Sequence, residues 1–270
     1  MKRAFVDQDK WRENETELSA EESHHLLTVL RAQAGGTIEI FDGRGKKAFA
    51  ELISARKNIA RIKIVPESIR CVEPHVPAFI LFQAIPKHSG MELIIQKATE
   101  LGVQKIVPVM TERVVVKLND YAAAQRVERW RKIVLASVKQ CQSAWLPEVC
   151  PVVSLAGAVA DIKSDLQVFG GLAPQTPSFK EVLRQADRSA IKSITLVIGP
   201  EGDFTEEEQR LLSRANFKPV SFGAEVLRVE TAAIFGLSAL NYEFPRRPSV
   251  DGQVATYSER ARATGGFTSL

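Results

Sequence analysis

Two short loops carry the residues through which this chain could do chemistry. The first, Gly199-Pro200-Glu201-Gly202-Asp203-Phe204, follows the apolar run Ile194-Thr195-Leu196-Val197-Ile198 and precedes Thr205-Glu206-Glu207-Glu208. The second, Gly223-Ala224-Glu225-Val226-Leu227-Arg228, follows Pro219-Val220-Ser221-Phe222 and precedes a helical pattern from about Glu230. Glycine lets a backbone turn sharply and bring its N–H groups close to a ligand. Ligands of open α/β sheets sit at the carboxyl ends of the strands. The pair predicts a seat for a small polar ligand. No Gly-Lys-Ser/Thr follows the first loop and no G-x-G-x-x-G is present, so neither a phosphate loop nor a dinucleotide fingerprint is expected. No G-x-S-x-G elbow marks a serine nucleophile. His24, His25, His75 and His88 have no ligand-spaced partners, and no metal is expected.

The elements that position these loops read as two kinds. Residues 1–72 predict a small β-rich domain, a barrel of short strands. Arg3–Val6 is its first strand. Ser19-Ala20-Glu21-Glu22 predicts a capping box that opens a helix carrying His24 to Leu30, with Gly35-Gly36 as its stop. Thr37–Phe41, Lys47–Ile53 and Ile59–Val65 follow as strands, with Asp42-Gly43-Arg44-Gly45 as the first hairpin turn. Glu73-Pro74-His75-Val76-Pro77 is the predicted linker, because two prolines bar regular structure.

From 73 to 244 the pattern alternates strand and helix. Strands are predicted at Phe79–Ile85, Lys105–Met110 and Leu166–Phe169. Helices are predicted at Met91–Leu101, with Leu93, Ile94, Ala98 and Leu101 on its apolar side, at about Ala122–Gln142, and at Ser178–Gln185. Thr205 and Glu208 form a second capping box. Continuous apolar strands between helices imply an α/β domain built on a mostly parallel sheet covered on both faces. Residues 245–270, rich in Pro, Arg, Ser and Gly, are expected to be loosely ordered.

Composition narrows the class further. Hydrophobic residues make up 45% and charged residues 25% of the 270, ordinary for a globular protein. No apolar run nears the roughly 18 residues of a membrane span, and no signal-peptide core follows Met1-Lys2-Arg3. Three cysteines without a C-x-x-C read as reduced thiols, which points to the cytoplasm. The net charge is only +4, but Lys105 to Lys139 holds eight Lys/Arg against three Asp/Glu. Such a stretch fits either a solvated helix face or a surface for phosphates.

Gly199-Pro200-Glu201-Gly202, followed by Phe222-Gly223-x-x-Val226-Leu227-Arg228-x-Glu230-Thr231-Ala232, resembles the signature of the SPOUT methyltransferases. His24-His25-Leu26-x-x-Val29-Leu30-Arg31, Gln96-Lys97-Ala98-Thr99-Glu100-Leu101-Gly102-Val103, Pro108-x-x-Thr111-Glu112-Arg113 and Arg129-Trp130 resemble the RsmE branch, which methylates N3 of a uridine in 16S ribosomal RNA. The resemblance implies a C-terminal parallel sheet tied in a trefoil knot, a PUA-like RNA-binding barrel before it, and a homodimer. It implies S-adenosylmethionine as cofactor, held by Phe169-Gly170-Gly171-Leu172, by Ile198 with Gly199, Pro200 and Gly202, and by Phe222, Gly223, Val226, Leu227 and Arg228. The partner it implies is 16S rRNA, free or in the 30S subunit, with no membrane. The chain departs from the pattern at Asp203, where glycine is usual, at Val229, where threonine is common, and at Gln142, near which an arginine is usual.

Within that resemblance, uracil N3–H must lose its proton before it can attack a methyl group. Arg228 is the first candidate to stabilise the imidate or to hold the cofactor carboxylate. Glu230 would orient Arg228 or cap a helix, and Glu201 would act as base or buttress its loop. Arg3, Lys10, Arg12, Arg31, Arg113 and Lys117 are the candidate RNA contacts. Two rival readings are a methyltransferase of the same fold acting on a ribose 2′-hydroxyl and a non-catalytic ribosome-assembly factor.

Overall fold

The computed structural model describes residues 1–12, 14–56, 58–87, 90–114 and 119–245. Lys117 and all but the first residue of the predicted loose tail lie outside the described residues. The chain runs β1 (Arg3–Phe5), β2 (Glu15–Glu17), α1 (Ala20–His24), β3 (Thr37–Phe41), β4 (Lys46–Arg56), β5 (Ile59–Ile64) and β6 (Arg70–Cys71). It continues with β7 (Ala78–Ala84), α2 (Gly90–Glu100), β8 (Lys105–Met110), α3 (Asp120–Cys141), β9 (Glu148–Val149), β10 (Val153–Ser154) and α4 (Leu155–Asp161). The last elements are β11 (Leu166–Gly170), α5 (Phe179–Gln185), β12 (Ser193–Ile198), α6 (Glu206–Arg214), β13 (Lys218–Val220) and α7 (Val229–Glu243).

The first sheet has the order β1-β3-β4-β5-β2, with β6 on β4, and only β1–β3 is parallel. Alternate residues of its strands, among them Ala4, Ile38, Ile40, Ala50, Leu52, Ile62 and Ile64, meet Leu26 in one buried core. Its β3–β4 turn is the predicted one, with Asp42 Oδ1 accepting from the backbone N–H of Arg44 (2.7 Å) and Lys46 (3.0 Å). The helix after Ser19 is shorter than predicted. Its last turn, His25–Val29, is π-helical, closed by the Leu30 N–H on His25 O, and Arg31 then enters the left-handed region at φ 49°. Gly35 instead turns the chain into β3. The capping box is only half made: Ser19 Oγ accepts from Glu22 N–H, but Glu22 turns away to accept from Phe5 N–H (2.9 Å) and to pair with Lys139.

The second sheet is parallel throughout, in the order β10-β8-β7-β12-β11-β13, with β9 beside β8. Both its faces are dry, and the period of two explains why its strands read as unbroken apolar runs. Phe79, Leu81, Ile106, Leu166, Val168, Ile194, Leu196 and Ile198 point to the side covered by α2, α3, α5 and α7. Phe82, Ala84, Val107, Val109, Phe169 and Val197 point to the side covered by α4 and α6. The Ser178–Glu181 and Thr205–Glu208 capping boxes are complete. Among the described residues no helix is long and apolar enough to cross a membrane.

Arg3 joins the two sheets. Its guanidinium donates to Val138 O (2.8 Å) and Ser143 O (3.0 Å) at the end of α3, pairs with Glu39 at 2.7 Å and lies over the Phe41 ring. Burial lowers its pKa, against the opposing pull of Glu39. A guanidinium so buried, with its two Nη atoms bonded to backbone carbonyls and Glu39 beside its Nε, is out of reach of a phosphate, which removes Arg3 from the predicted RNA contacts.

Candidate active site

Because the sheet is parallel, β7, β12, β11 and β13, four adjacent strands, deliver their carboxyl ends to one edge. The loops that leave them surround a cavity of 710 Å³. The loop after β7 contributes Lys87, and the start of α2 contributes Gly90 and Leu93. The loop after β11 contributes Gly170, Gly171, Leu172 and Ala173. Ile198, Gly199, Pro200, Glu201 and Asp203 come from β12 and its loop, and residues 221–230 and Ala232 close the far wall. That size is within the range of small-molecule sites, about 300–1,000 Å³.

Close packing dictates the glycines. A side chain at Gly170 would meet the Phe222 ring at 3.2 Å, and one at Gly199 would meet the Phe204 ring at 3.0 Å. Phe222 is itself held edge-on between Phe179 (5.4 Å) and Phe235 (5.7 Å). A Cβ at Gly90 would fall 2.2 Å from a Glu230 carboxylate oxygen, so the first turn of α2 presses on the first turn of α7 through Glu230.

The three residues expected to do chemistry all line the cavity, in different circumstances. Arg228 is the N-cap residue of α7, exposed, and its side chain has no hydrogen bond or ion pair among the described residues. Glu201 accepts the backbone N–H of Lys87 at 2.7 Å and so braces one cavity loop on another. Glu230 lies against Gly90 and does not hold Arg228.

Two residues expected at the cofactor are elsewhere. Phe169 is turned by strand alternation to the opposite face, where its ring packs edge-on against Phe204 at 6.0 Å. Gly202 faces the loop after β8: its carbonyl accepts from Arg113 Nη1 at 2.8 Å, and a Cβ there would meet the Arg113 side chain at 3.3 Å. Arg113 is therefore a brace on the loop after β12, while Lys10, Arg12 and Arg31 are exposed. Asp203 and Glu225 line the cavity from the two predicted loops, and Lys87, Gly90 and Leu93 line it without having been expected there. Leu93 is 44% exposed, since it faces the cavity and not the core. Val229 and Gln142 have structural settings: Val229 is buried against the core, and Gln142 ends α3 in the left-handed conformation at φ 61°.

The described residues lining the cavity bring four carboxylates, Glu201, Asp203, Glu225 and Glu230, against Lys87 and Arg228. The site thus favours a ligand with positive charge. Burial raises the Asp203 pKa above its ordinary value, and Glu208 adds to this, while the Phe204 N–H and Arg113 oppose it. No group of three potential metal ligands occurs among the described residues.

Residues 73–241 match the RNA methyltransferase domain family, and residues 18–65 match the RNA methyltransferase PUA domain family. The chain is similar to ribosomal RNA small subunit methyltransferase E of Bacillus subtilis (strain 168), 30% identical over 256 residues, 90% of this chain and 97% of that protein. The protein of the same name from Synechocystis sp. is 31% identical over 227 residues, 83% of this chain and 72% of that protein. Among solved structures, one from Legionella pneumophila in complex with the cofactor SAM superposes with a TM-score of 0.80 at 33% identity, covering 89% of this chain and 96% of that one. The ribosomal RNA small subunit methyltransferase E of Neisseria gonorrhoeae bound to S-adenosyl methionine superposes with a TM-score of 0.79 at 27% identity, covering 90% and 97%.

Proposed function

The chain belongs to the RNA methyltransferase family, and from that premise we propose that it methylates N3 of a uridine in 16S rRNA with S-adenosylmethionine as donor. The observation that carries the proposal is the convergence of four adjacent strand ends on one glycine-walled, net-acidic cavity in a chain of this family. The residues present fit the donor: the volume suits a nucleoside with a short tail, and the carboxylates suit its positive charge. When bound, it supplies a methyl group on a sulfonium.

The protein contributes alignment and electrostatics. Arg228, at the cavity wall and unpaired among the described residues, donates to the uracil carbonyls as negative charge develops on the ring, and so favours the imidate over the imide. Glu201 holds the loop after β12 in register with the loop after β7, and Glu230 fixes α7 against the N-terminus of α2, where the helix dipole favours an anion. The N3 proton leaves to water. N3 is on the pairing edge of the base, so the uridine is presented unpaired. Residues 1–72 serve as the RNA-binding module and 73–244 as the catalytic domain, with Lys10, Arg12 and Arg31 as phosphate contacts.

The protein acts in the cytoplasm as a homodimer, on free rRNA or the 30S subunit. The support for a dimer is α7, which is apolar beyond its buried stripe: Phe235 is 44% and Tyr242 85% exposed on the face that also carries Thr231. The trefoil knot belongs to the same reading, and the strand order supports it, because β12 inserts between the earlier strands β7 and β11. The test is mass spectrometry of 16S rRNA from cells lacking the protein. One methyluridine is expected to disappear and to return on complementation; an unchanged methylation map overturns the proposal.

A further inference from the structure

Asp203 is an expensive residue in an informative place. Its N–H donates to Pro200 O at 3.0 Å, closing the turn of the loop after β12, and this puts its φ at +57°. That region suits glycine, and every residue with a Cβ pays a steric cost there, Asp and Asn less than most. Asp203 lines the cavity half-buried, and burial disfavours the charge of its carboxyl group. Arg113 and the Phe204 N–H offset this only in part: the Arg113 guanidinium bonds Gly202 O, and Asp203 has no ion pair among the described residues. Backbone strain and desolvation thus fall on one residue, in the wall of a ligand site where carboxylates, Asp203 included, outnumber cations by four to two among the described residues.

Such a group is complementary to a cationic ligand. On the reading of the site as a methyl-donor pocket, on which this inference rests, the ligand changes charge during turnover. The acceptor nitrogen bonds the methyl carbon, the carbon–sulfur electron pair stays on sulfur, and the N3 proton passes to solvent. The sulfonium thereby becomes a neutral thioether. We propose that Asp203 is the charge-selecting residue of the cavity, attracting the cationic donor and giving no such attraction to the neutral product, so that product release follows transfer. A glycine at this position would give an unstrained loop with less discrimination.

The test is isothermal titration of the full chain with S-adenosylmethionine and, separately, with S-adenosylhomocysteine, for the wild type, Asp203→Asn and Asp203→Gly. The two ligands differ by a methyl group as well as a charge, but the methyl contribution is common to all three proteins, so the change in the Kd ratio isolates the charge. The wild type is expected to favour the donor, and both variants to lose about tenfold of that preference through weaker donor binding. Product binding should stay within about twofold. Asn keeps the shape and tolerance of the turn, and Gly relaxes it, so a ratio change shared by both variants cannot come from misfolding. A wild type that binds both ligands, with a ratio unchanged in Asp203→Asn, overturns this inference alone. A wild type that binds neither overturns the donor reading and this inference with it.

Discussion

Arg228 is the one cation at the cavity wall that sits at a helix N-cap with its side chain unengaged among the described residues. A helix N-terminus is a poor place for a cation, so its position there points to a ligand. Arg228→Ala is expected to lower methyl transfer to 16S rRNA by about a hundredfold or more, with an unchanged circular dichroism spectrum; full transfer by the variant would remove Arg228 from the mechanism. This residue and the glycines around it were legible in the sequence because their chemistry is local. Lys87, Gly90 and Leu93 were not, since they belong to a strand–helix unit more than a hundred residues upstream and only the strand order brings them to the site. The apolar spacing of Leu93 reads as core, and nothing local tells a cavity wall from a core. Arg3 misled in the opposite sense: an arginine near a chain terminus reads as solvated, and its buried partners lie at Glu39, Val138 and Ser143.

At the scale of elements, regular periodicity carried the reading and short or irregular pieces escaped it. β8 was bounded to the residue, and α3 and α5 to within two. β9 and β10, two residues each, have too few residues to show a period, and α4, as short as α5, lacks the capping box that marks the start of α5. The π-helical turn at His25–Val29 ends its helix before the glycines that would otherwise stop it. Gly45 shows why a turn can be less tolerant than it looks: its φ is +100° and a Cβ would fall 2.4 Å from Val72 O. Gly45→Ala is expected to destabilise the fold by about 2–4 kcal/mol in urea titrations. A second turn is pH-dependent. Asp165 accepts from the N–H groups of Lys192 and Ser193, both at 2.9 Å, and from Ser193 Oγ at 3.0 Å, tying the start of β11 to the start of β12. These bonds, that from Lys192 first, lower its pKa below 3.8. A depressed carboxylate stabilises the fold above its unfolded value and loses that contribution as pH falls through the folded value. Asp165→Asn should therefore have a lower Tm than the wild type at pH 7, with the gap closing in acid below pH 3.8; a gap constant with pH would refute the role.

At the scale of the whole molecule, the exposed face of α7 predicts self-association. Tyr242, 85% exposed, lies on that face and does not line the cavity, so Tyr242→Glu separates assembly from catalysis. Sedimentation velocity should show a wild-type dimer and a variant whose dimer dissociates about tenfold or more readily; a monomeric wild type would refute the assembly. The two sheets were legible as separate patterns, but their junction was not, because it joins residues about a hundred positions or more apart: Arg3 with the end of α3, Glu22 with Lys139, and the backbone of Gly43 and Gly45 with that of Leu146 and Ala144.

The placing of β12 has a consequence for how the protein is made. β7 is synthesised more than a hundred residues before the strand that must pair with its inner edge. A nascent chain emerging at about 5–20 residues per second therefore carries an open, strongly apolar strand edge for seconds. Unpaired edges of that kind template aggregation. The order of strands that assembles the pocket also makes the half-made chain a natural client for chaperones, and makes its yield more sensitive to the rate of translation than its final stability would indicate.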